Sequence, residues 1–242
     1  MQMQKNKVDL IYGIHPIVEL LRAKKRKIYD LFVDKSRQKN ISEIIHQLPS
    51  YTKVLYCDKK KLDLLCGSPD HQSVAAYVSP FLYQKNFFKS TQFPVLLFCD
   101  SIQDTKNLGA LFRSAYCTNI LGVVITEEAS VGITASVFKS SAGLAEHIFI
   151  YKSKNIKLAL EEAVKNGYVV YLAAANGLSL DKVKIVSPCV IVIGNEHVGI
   201  DSGLYKFGTV ISLRQKENCI SYNASVAGGI LLYNISSKLL LI

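Results

Sequence analysis

The sequence predicts an α/β protein in which a mostly parallel sheet forms a C-terminal domain, preceded by a smaller α/β module. Three observations carry this expectation. From Val95 onward, short continuous apolar runs alternate with segments of helical period, the pattern of parallel strands buried on both faces. Residues 1–79 show the same alternation on a smaller scale. Between them, residues 80–93 run without clean periodicity from Pro80 up to Pro94, which suits a linker or docking arm. The expected division is therefore 1–79, linker 80–93, and 94–242.

In the front module, Pro16 suits the first turn of a helix through Leu21, Ile28–Val33 reads as a strand, and Ile41–Leu48 has helical spacing. Lys53–Cys57 is strand-like, Lys59–Leu65 helical and Ser73–Val78 strand-like. In the second segment the strands expected are Val95–Cys99, Val123–Ile125, His147–Tyr151, Tyr168–Ala173, Cys189–Ile193 and Thr209–Leu213. Helices fit Asn107–Cys117, Ala135–Ser141, Ile156–Lys165 and Ser225–Leu239.

A hydrophobic content of 49% with 20% charged residues belongs to a folded chain rather than a disordered one. The formal net charge is +10, and residues 1–80 hold 14 Lys and Arg against 8 Asp and Glu, which is +6 of it. An uneven basic surface favours a polyanionic partner such as nucleic acid or an anionic membrane; a Lys-rich composition alone would give the same bias. Two runs stand out, Arg22 to Lys27 and Lys59 to Lys61. They lead to the expectation that the front module recruits such a partner. Solvated helix faces are the plain alternative.

The six cysteines, Cys57, Cys66, Cys99, Cys117, Cys189 and Cys219, form no Cys-x-x-Cys pair, and no zinc spacing appears, so no metal is expected. Buried reduced thiols in a cytoplasmic protein are the expectation. Met1–Val8 is polar and lacks a signal-peptide core. The apolar Ala224–Ile242 contains Asn234, Ser236, Ser237 and Lys238, which suits a buried core or interface helix better than a membrane span.

No Gly-x-Gly-x-x-Gly follows the first strand, Gly194–Gly199 lacks the Lys-Ser/Thr of a phosphate loop, and there is no Gly-x-Ser-x-Gly elbow. Three polar clusters remain, each at a strand exit, where an α/β sheet builds its ligand site. They are Asp100 to Ser114 with Asn107, Gly109 and Arg113; Gly194 to Gly199 with Asn195 and Glu196; and Ile211 to Gly229 with Ser221, Tyr222, Asn223 and Ser225. Taken singly, each has a structural reading: Asn107 as an N-cap, Arg113 as a solvated helix residue, Glu196 as a cap, Ser221 or Asn223 as an N-cap.

Taken together, in this order, the clusters resemble the SpoU/TrmH family of RNA ribose 2′-O-methyltransferases in the SPOUT superfamily. Asp104-Thr-Lys-Asn107-Leu-Gly109 with Arg113 resembles its first motif, Gly194-Asn195-Glu196 with Gly199 its second, and Ser221, Asn223, Ser225, Val226 and Ala227 its third. Lys139-Ser-Ser-Ala-Gly143-Leu-Ala-Glu146 resembles the stretch between the first two, and Ile11 to Pro16 resembles the opening of the family's ribosomal-protein-like substrate-binding domain. The chain departs from the pattern at Thr105, His197, Gln215 and Tyr222, and the stretch from Ile211 to Asn223 is longer than usual.

The resemblance implies a deep trefoil knot, a homodimer and S-adenosyl-L-methionine as cofactor, held by Gly194, Ile211 and Tyr222. It implies methyl transfer to a ribose 2′-hydroxyl, in the branch acting on guanosine of 23S rRNA. Arg113 would face the target nucleotide, Asn107, Ser221 and Asn223 would orient groups by hydrogen bonds, and Glu196 would brace the loops. The alternatives are a transfer-RNA ribose methyltransferase and a non-catalytic RNA-binding protein on a degenerate knot.

Overall fold

The computed structural model describes residues 8–85, 87–88, 93–217 and 220–242. Cys219 and most of the polar N-terminal stretch lie outside the described residues, as does part of the segment between Pro80 and Pro94. The chain divides into two compact units. One is made of the residues up to Leu82 together with Ile133–Glu146, the other of Tyr83–Gly132 and His147–Ile242. The sequence shows no break at residues 132 or 146, so the inclusion of Ile133–Glu146 with the front residues differs from the expected division.

The first unit carries β1 (Asp9–Tyr12), α1 (Ile14–Ala23), β2 (Ile28–Asp34), α2 (Ser42–His46), β3 (Lys53–Cys57), α3 (Lys59–Cys66) and β4 (Val74–Val78). Its sheet runs β1-β4-β2-β3, with β4 antiparallel to both neighbours and β2 parallel to β3. β1 was not foreseen, because four residues with only two of them buried leave too short a pattern to read. Ile41–Leu48 is helical only from Ser42 to His46, and the residues before it form a 3₁₀ turn capped by Asp34, whose side chain accepts from Ser36 N. α1 buries Pro16, Ile17 and Leu20 and stops at Lys24 in the left-handed conformation. Because β2 and β3 are parallel, the run before β2 and the run after β3 lie at opposite ends of this sheet.

The returning segment brings α5 (Ala135–Ser140) and Glu146 into this unit. Arg26 donates to Glu146 Oε1 at 2.9 Å, to Asp9 Oδ2 at 2.7 Å and to the Ser79 carbonyl at 2.7 Å. Its guanidinium lies 5.2 Å from the centre of the Phe138 ring. The side chains of Arg26 and Glu146 are 2% and 1% exposed, so Arg26, read as part of a surface basic run, is a buried structural residue instead.

The second unit is a six-stranded sheet in the order β10-β8-β9-β5-β6-β7, every described pair of which is parallel. Its elements are β5 (Val95–Cys99), α4 (Thr105–Cys117), β6 (Gly122–Thr126), β7 (Phe149–Ser153), α6 (Ile156–Lys165), β8 (Val169–Ser179), β9 (Cys189–Ile193), β10 (Thr209–Ser212) and α7 (Ala224–Lys238). β5, β6 and β9 are buried along their whole length, as continuous apolar runs require. On one face Leu96, Phe98, Val124, Val190 and Val192 pack with Ala159, Leu160 and Ala163 of α6. Phe87, Phe88 and Phe93, from the stretch expected to be a linker or docking arm, are buried in the same cluster.

α4 and α7 pack against each other. A Cβ on Gly228 would overlap Leu111 Cδ2, so a side chain there would require the Leu111 side chain to shift. Ser236 Oγ donates to the Thr118 carbonyl. Cys57, Cys99 and Cys189 are buried and unpaired, whereas Cys66 is half-buried and Cys117 exposed. Burial pushes the Cys189 thiol up to about 12 and that of Cys66 up to about 11.

Removing Arg26 would leave Glu146 and Asp9 as charges without their main partner. Arg26→Ala is expected to lower stability by about 3–5 kcal/mol. The exposed Arg22–Glu19 pair, with Arg22 66% exposed, contributes about 0–1 kcal/mol. Chemical denaturation of Arg26→Ala and Arg22→Ala side by side checks the difference; equal losses would contradict it.

Candidate functional site

The site is built where β5, β9 and β10 end. β5 and β9 are paired in register, Cys99 opposite Ile193, so the chain leaves both strands at the same edge. Asp100 N donates to the Ile193 carbonyl at 2.8 Å, extending the ladder one step. Ser101 then turns through a left-handed conformation (φ 55°), and its carbonyl accepts from Asn195 Nδ2 at 2.8 Å. The loop after one strand is thus hydrogen-bonded to the loop after the other.

The glycine-bounded turn is closed by its own asparagine. Asn195 Oδ1 accepts from His197 N and Val198 N, and its carbonyl accepts from Gly199 N at 2.9 Å. A Cβ on Gly194 would lie 2.5 Å from the carbonyl carbon of Gly199, so a side chain there would force the turn open. This geometry holds Glu196 where its Oε1 accepts from Asn107 Nδ2 at 3.1 Å.

α4 begins two residues earlier than its sequence suggests. Asp104 is the N-cap, accepting from Lys106 N at 2.7 Å, so Asn107 is not a cap but a buried residue inside the first turn. Its amide is thereby free to reach across to Glu196. Arg113, almost two turns further along α4, is exposed and lies outside the residues that line the cleft.

The third cluster divides. Asn223 is the N-cap of α7: its Oδ1 accepts from Ser225 N at 2.9 Å, from Val226 N at 3.3 Å and from Ser225 Oγ at 2.7 Å. That oxygen is committed to the helix start. Ser221 and Tyr222 face the cleft instead, and Tyr222 Oη donates to the Arg214 carbonyl at 3.4 Å, tying together the two ends of its loop.

Gly194, Glu196, Ile211, Ser221 and Tyr222 line one open cleft of about 410 Å³. Its walls include Ala173, Ala174, Ala175 and Asn176 in the middle of β8, a stretch that sequence reasoning missed. The signal was available: a run of three alanines and Asn-Gly directly after an apolar strand. β8 continues to Ser179, and its pairing with β10 jumps from Leu172–Val210 to Leu178–Ile211, which leaves Ala173–Gly177 bulged beside the cleft. His197 and Gln215, two of the departures from the family pattern, also line it. Beside the glycine turn, burial pushes the Asp100 carboxyl above its ordinary range, partly countered by the Ser101 hydroxyl and reinforced by the nearby Asp201. Among the described residues, no group of three or more His, Cys, Asp or Glu is placed to hold a metal, and no helix is long and apolar enough to cross a membrane.

Residues 94–233 match the model of the SpoU rRNA Methylase family, and residues 10–84 match that of the RNA 2′-O ribose methyltransferase substrate-binding domain. A Bacillus subtilis protein assigned to the TrmH family of tRNA/rRNA methyltransferases, YacO, is 30% identical over 95% of this chain and 96% of its own length. The 23S rRNA (guanosine-2′-O-)-methyltransferase RlmB of Shewanella oneidensis is 28% identical over 94% and 96%. Among solved structures, the AdoMet-bound rRNA methyltransferase of Sinorhizobium meliloti superposes with a TM-score of 0.78 at 18% identity, covering 97% of this chain and 88% of that one. The AdoMet complex of the SpoU methyltransferase AviRb from Streptomyces viridochromogenes superposes with a TM-score of 0.79 at 18% identity, over 96% and 91%. With its three clusters gathered at the strand ends of one parallel sheet, and with the family model matched over residues 94–233, the chain belongs to the SpoU rRNA methylase family.

Proposed function

We propose that this protein is an S-adenosyl-L-methionine-dependent RNA methyltransferase that methylates a ribose 2′-hydroxyl, with guanosine in 23S rRNA as its target. The observation that carries the reading is the convergence of the three clusters: Asn107 bonds Glu196, and Glu196 shares a cleft with Ser221 and Tyr222. The likeness to RlmB over nearly the whole of both chains supports the guanosine target. Methyl incorporation from labelled cofactor into 23S rRNA, followed by nucleotide-resolution mapping of 2′-O-methyl groups with and without the gene, tests it.

The cleft fits the cofactor. Its volume of about 410 Å³ falls within the range of about 300–1,000 Å³ typical of small-molecule sites. Ile193, Ile211, Leu213 and Leu231 give it apolar walls, and the turn at Gly194 brings bare backbone to its edge. Gly194, Ile211 and Tyr222 would hold S-adenosyl-L-methionine, with Ala173–Asn176 as an added wall; when bound, it supplies a sulfonium methyl group to a ribose oxygen. The trefoil knot belongs to the same reading, supported by loops from β8, β9 and β10 meeting at one cleft.

A ribose hydroxyl is a very weak acid, so the protein must position it and stabilise its developing charge. Arg113 is a poor base because guanidinium stays protonated, but it is exposed and suited to clamp the target phosphate and steady the oxyanion. The proton then leaves through the phosphate or water. Glu196, steadied by Asn107, braces the glycine turn, and Ser221 offers a hydroxyl within the cleft. The part assigned to Asn223 narrows: its oxygen caps α7, so it orients Ser221 and Tyr222 through the backbone it fixes.

The homodimer expectation is part of this proposal, with α7 as its candidate interface. Val226 and Tyr233 on that helix are 50% and 60% exposed, beside Leu240 and Ile242 at 89% and 52%. Light scattering is expected to give twice the chain mass, and a concentration-independent monomer mass would reject the dimer.

Arg113→Ala should keep the fold and cofactor affinity while lowering methyl transfer by about 10²–10³-fold, the cost of removing one charge-stabilising donor. Arg113→Lys should not restore it fully, because an ammonium lacks the bidentate fork. Single-turnover assays with calorimetry of cofactor binding check both; near-normal turnover in Arg113→Ala would remove it from the mechanism.

Asn107→Ala leaves Glu196 without its described partner, and the net loss of about 1.5 kcal/mol expected for a bond to a charged group corresponds to roughly tenfold weaker cofactor binding if the turn loosens. Calorimetry reads this directly, and an unchanged dissociation constant would show that the turn is held by Asn195 alone.

A further inference from the structure

At one end of the first unit's sheet, β1, β2 and β3 begin and β4 ends, as the pairs Asp9–Val78, Ile28–Val78 and Asp30–Lys53 establish. Two tyrosines are mounted there on fixed backbone. Tyr29 sits where the register of β2 on β4 slips between Ile28 and Asp30, and such a bulge re-aims the side chain it carries. Tyr51 sits in the turn closed by Thr52 N donating to the Pro49 carbonyl at 2.9 Å. Thr52 Oγ1 donates to the Ile28 carbonyl at 2.9 Å, so a single hydrogen bond joins the residue after Tyr51 to the residue before Tyr29. The two residues are 37% and 59% exposed.

The charges around them are sorted. Lys24, Lys27 and Lys53 are exposed. Three carboxylates near the same end are already committed, Asp9 and Glu146 to Arg26 and Glu19 to Arg22, while Asp30, opposite Lys53 in the β2–β3 register, is half-buried. What this end presents outward is therefore aromatic faces flanked by ammonium groups. A protein partner would favour buried apolar anchors; ammonium groups around exposed rings suit phosphates and unpaired bases, because every base has a face that stacks on an aromatic ring.

We propose that Tyr29 and Tyr51, with Lys24, Lys27 and Lys53, form a contact surface for a single-stranded stretch of RNA, two of whose bases stack on the two rings. The surface lies at the opposite end of the sheet from the Lys59–Lys61 run, so it makes a separate contact from any that run provides. The inference rests on the reading that the chain acts on RNA. It adds that recognition includes unpaired bases as well as backbone charge.

The test compares the full chain with Tyr29→Ala, Tyr51→Ala, the corresponding Phe variants and Lys24→Gln/Lys27→Gln. Affinities are measured by fluorescence anisotropy for a labelled single-stranded RNA oligonucleotide and for a duplex of equal length, across a salt series. Each Ala variant should lose about tenfold in single-strand affinity with an unchanged salt slope, since stacking releases no counterions. The Phe variants should keep that affinity, and the double Lys variant should lower the single-strand slope by roughly 1.4. Duplex binding should not respond to the tyrosines. Single-strand affinity within twofold of the parent in both Ala variants, or equal losses in the Phe variants, overturns the proposal. Normal calorimetric binding of S-adenosyl-L-methionine in those variants then shows that the cofactor site stands without it. A parent chain that binds the cofactor but neither RNA overturns this surface together with the RNA reading.

Discussion

Much of the second unit depends on one constraint, the in-register pairing of β5 with β9. Parallel neighbours expose their C-terminal ends at the same edge, so segments almost a hundred residues apart in the chain begin their loops side by side. From that follow the Asn195 bond to the Ser101 carbonyl and the meeting of Asn107 with Glu196. A slip of one residue would move every inward side chain of β5 to the other face, where α4 and α7 pack in place of α6. The full burial of both strands makes such a slip costly, and the position of the polar groups inherits that precision.

The loops themselves are held by hydrogen bonds that use up polar side chains before any ligand arrives. Asn195 spends both ends of its amide on the backbone, and Asn223 spends its oxygen on the start of α7. A site whose supporting groups are already satisfied does not have to order them when it binds, which lowers the entropic cost of closing around a small molecule. In this cleft the family-like residues therefore separate into those that build it and those that remain to meet a ligand.

The strands of the second unit were legible because burial on both faces leaves continuous apolar runs, and those runs need no partner to be recognised. The three clusters were legible for a related reason: polar residues at the exits of such runs have few structural uses. Three things were not legible. Asn107 reads as a cap because asparagine favours that position, yet Asp104 outcompetes it from three residues upstream. The extension of β8 past Ala173 depends on a register jump against β10, which is a tertiary event with no local pattern. Arg26 sits in a run of cations that looks solvated, and only the return of Glu146 from 120 positions away buries it.

That return has a consequence during synthesis. The first unit needs α5 and Glu146 to complete its core, but these residues leave the ribosome 64 positions after Leu82. At about 5–20 residues per second, the interval lasts roughly 3–13 s. Throughout it Arg26 has Asp9 but not Glu146, and the apolar surface that Phe138 covers stays open. β5 and β6 of the other unit are made within the same interval. The unit that begins the chain therefore cannot finish folding when its first 82 residues are made, and the nascent protein passes through a stage in which an N-terminal core waits for a segment embedded in its neighbour's sequence.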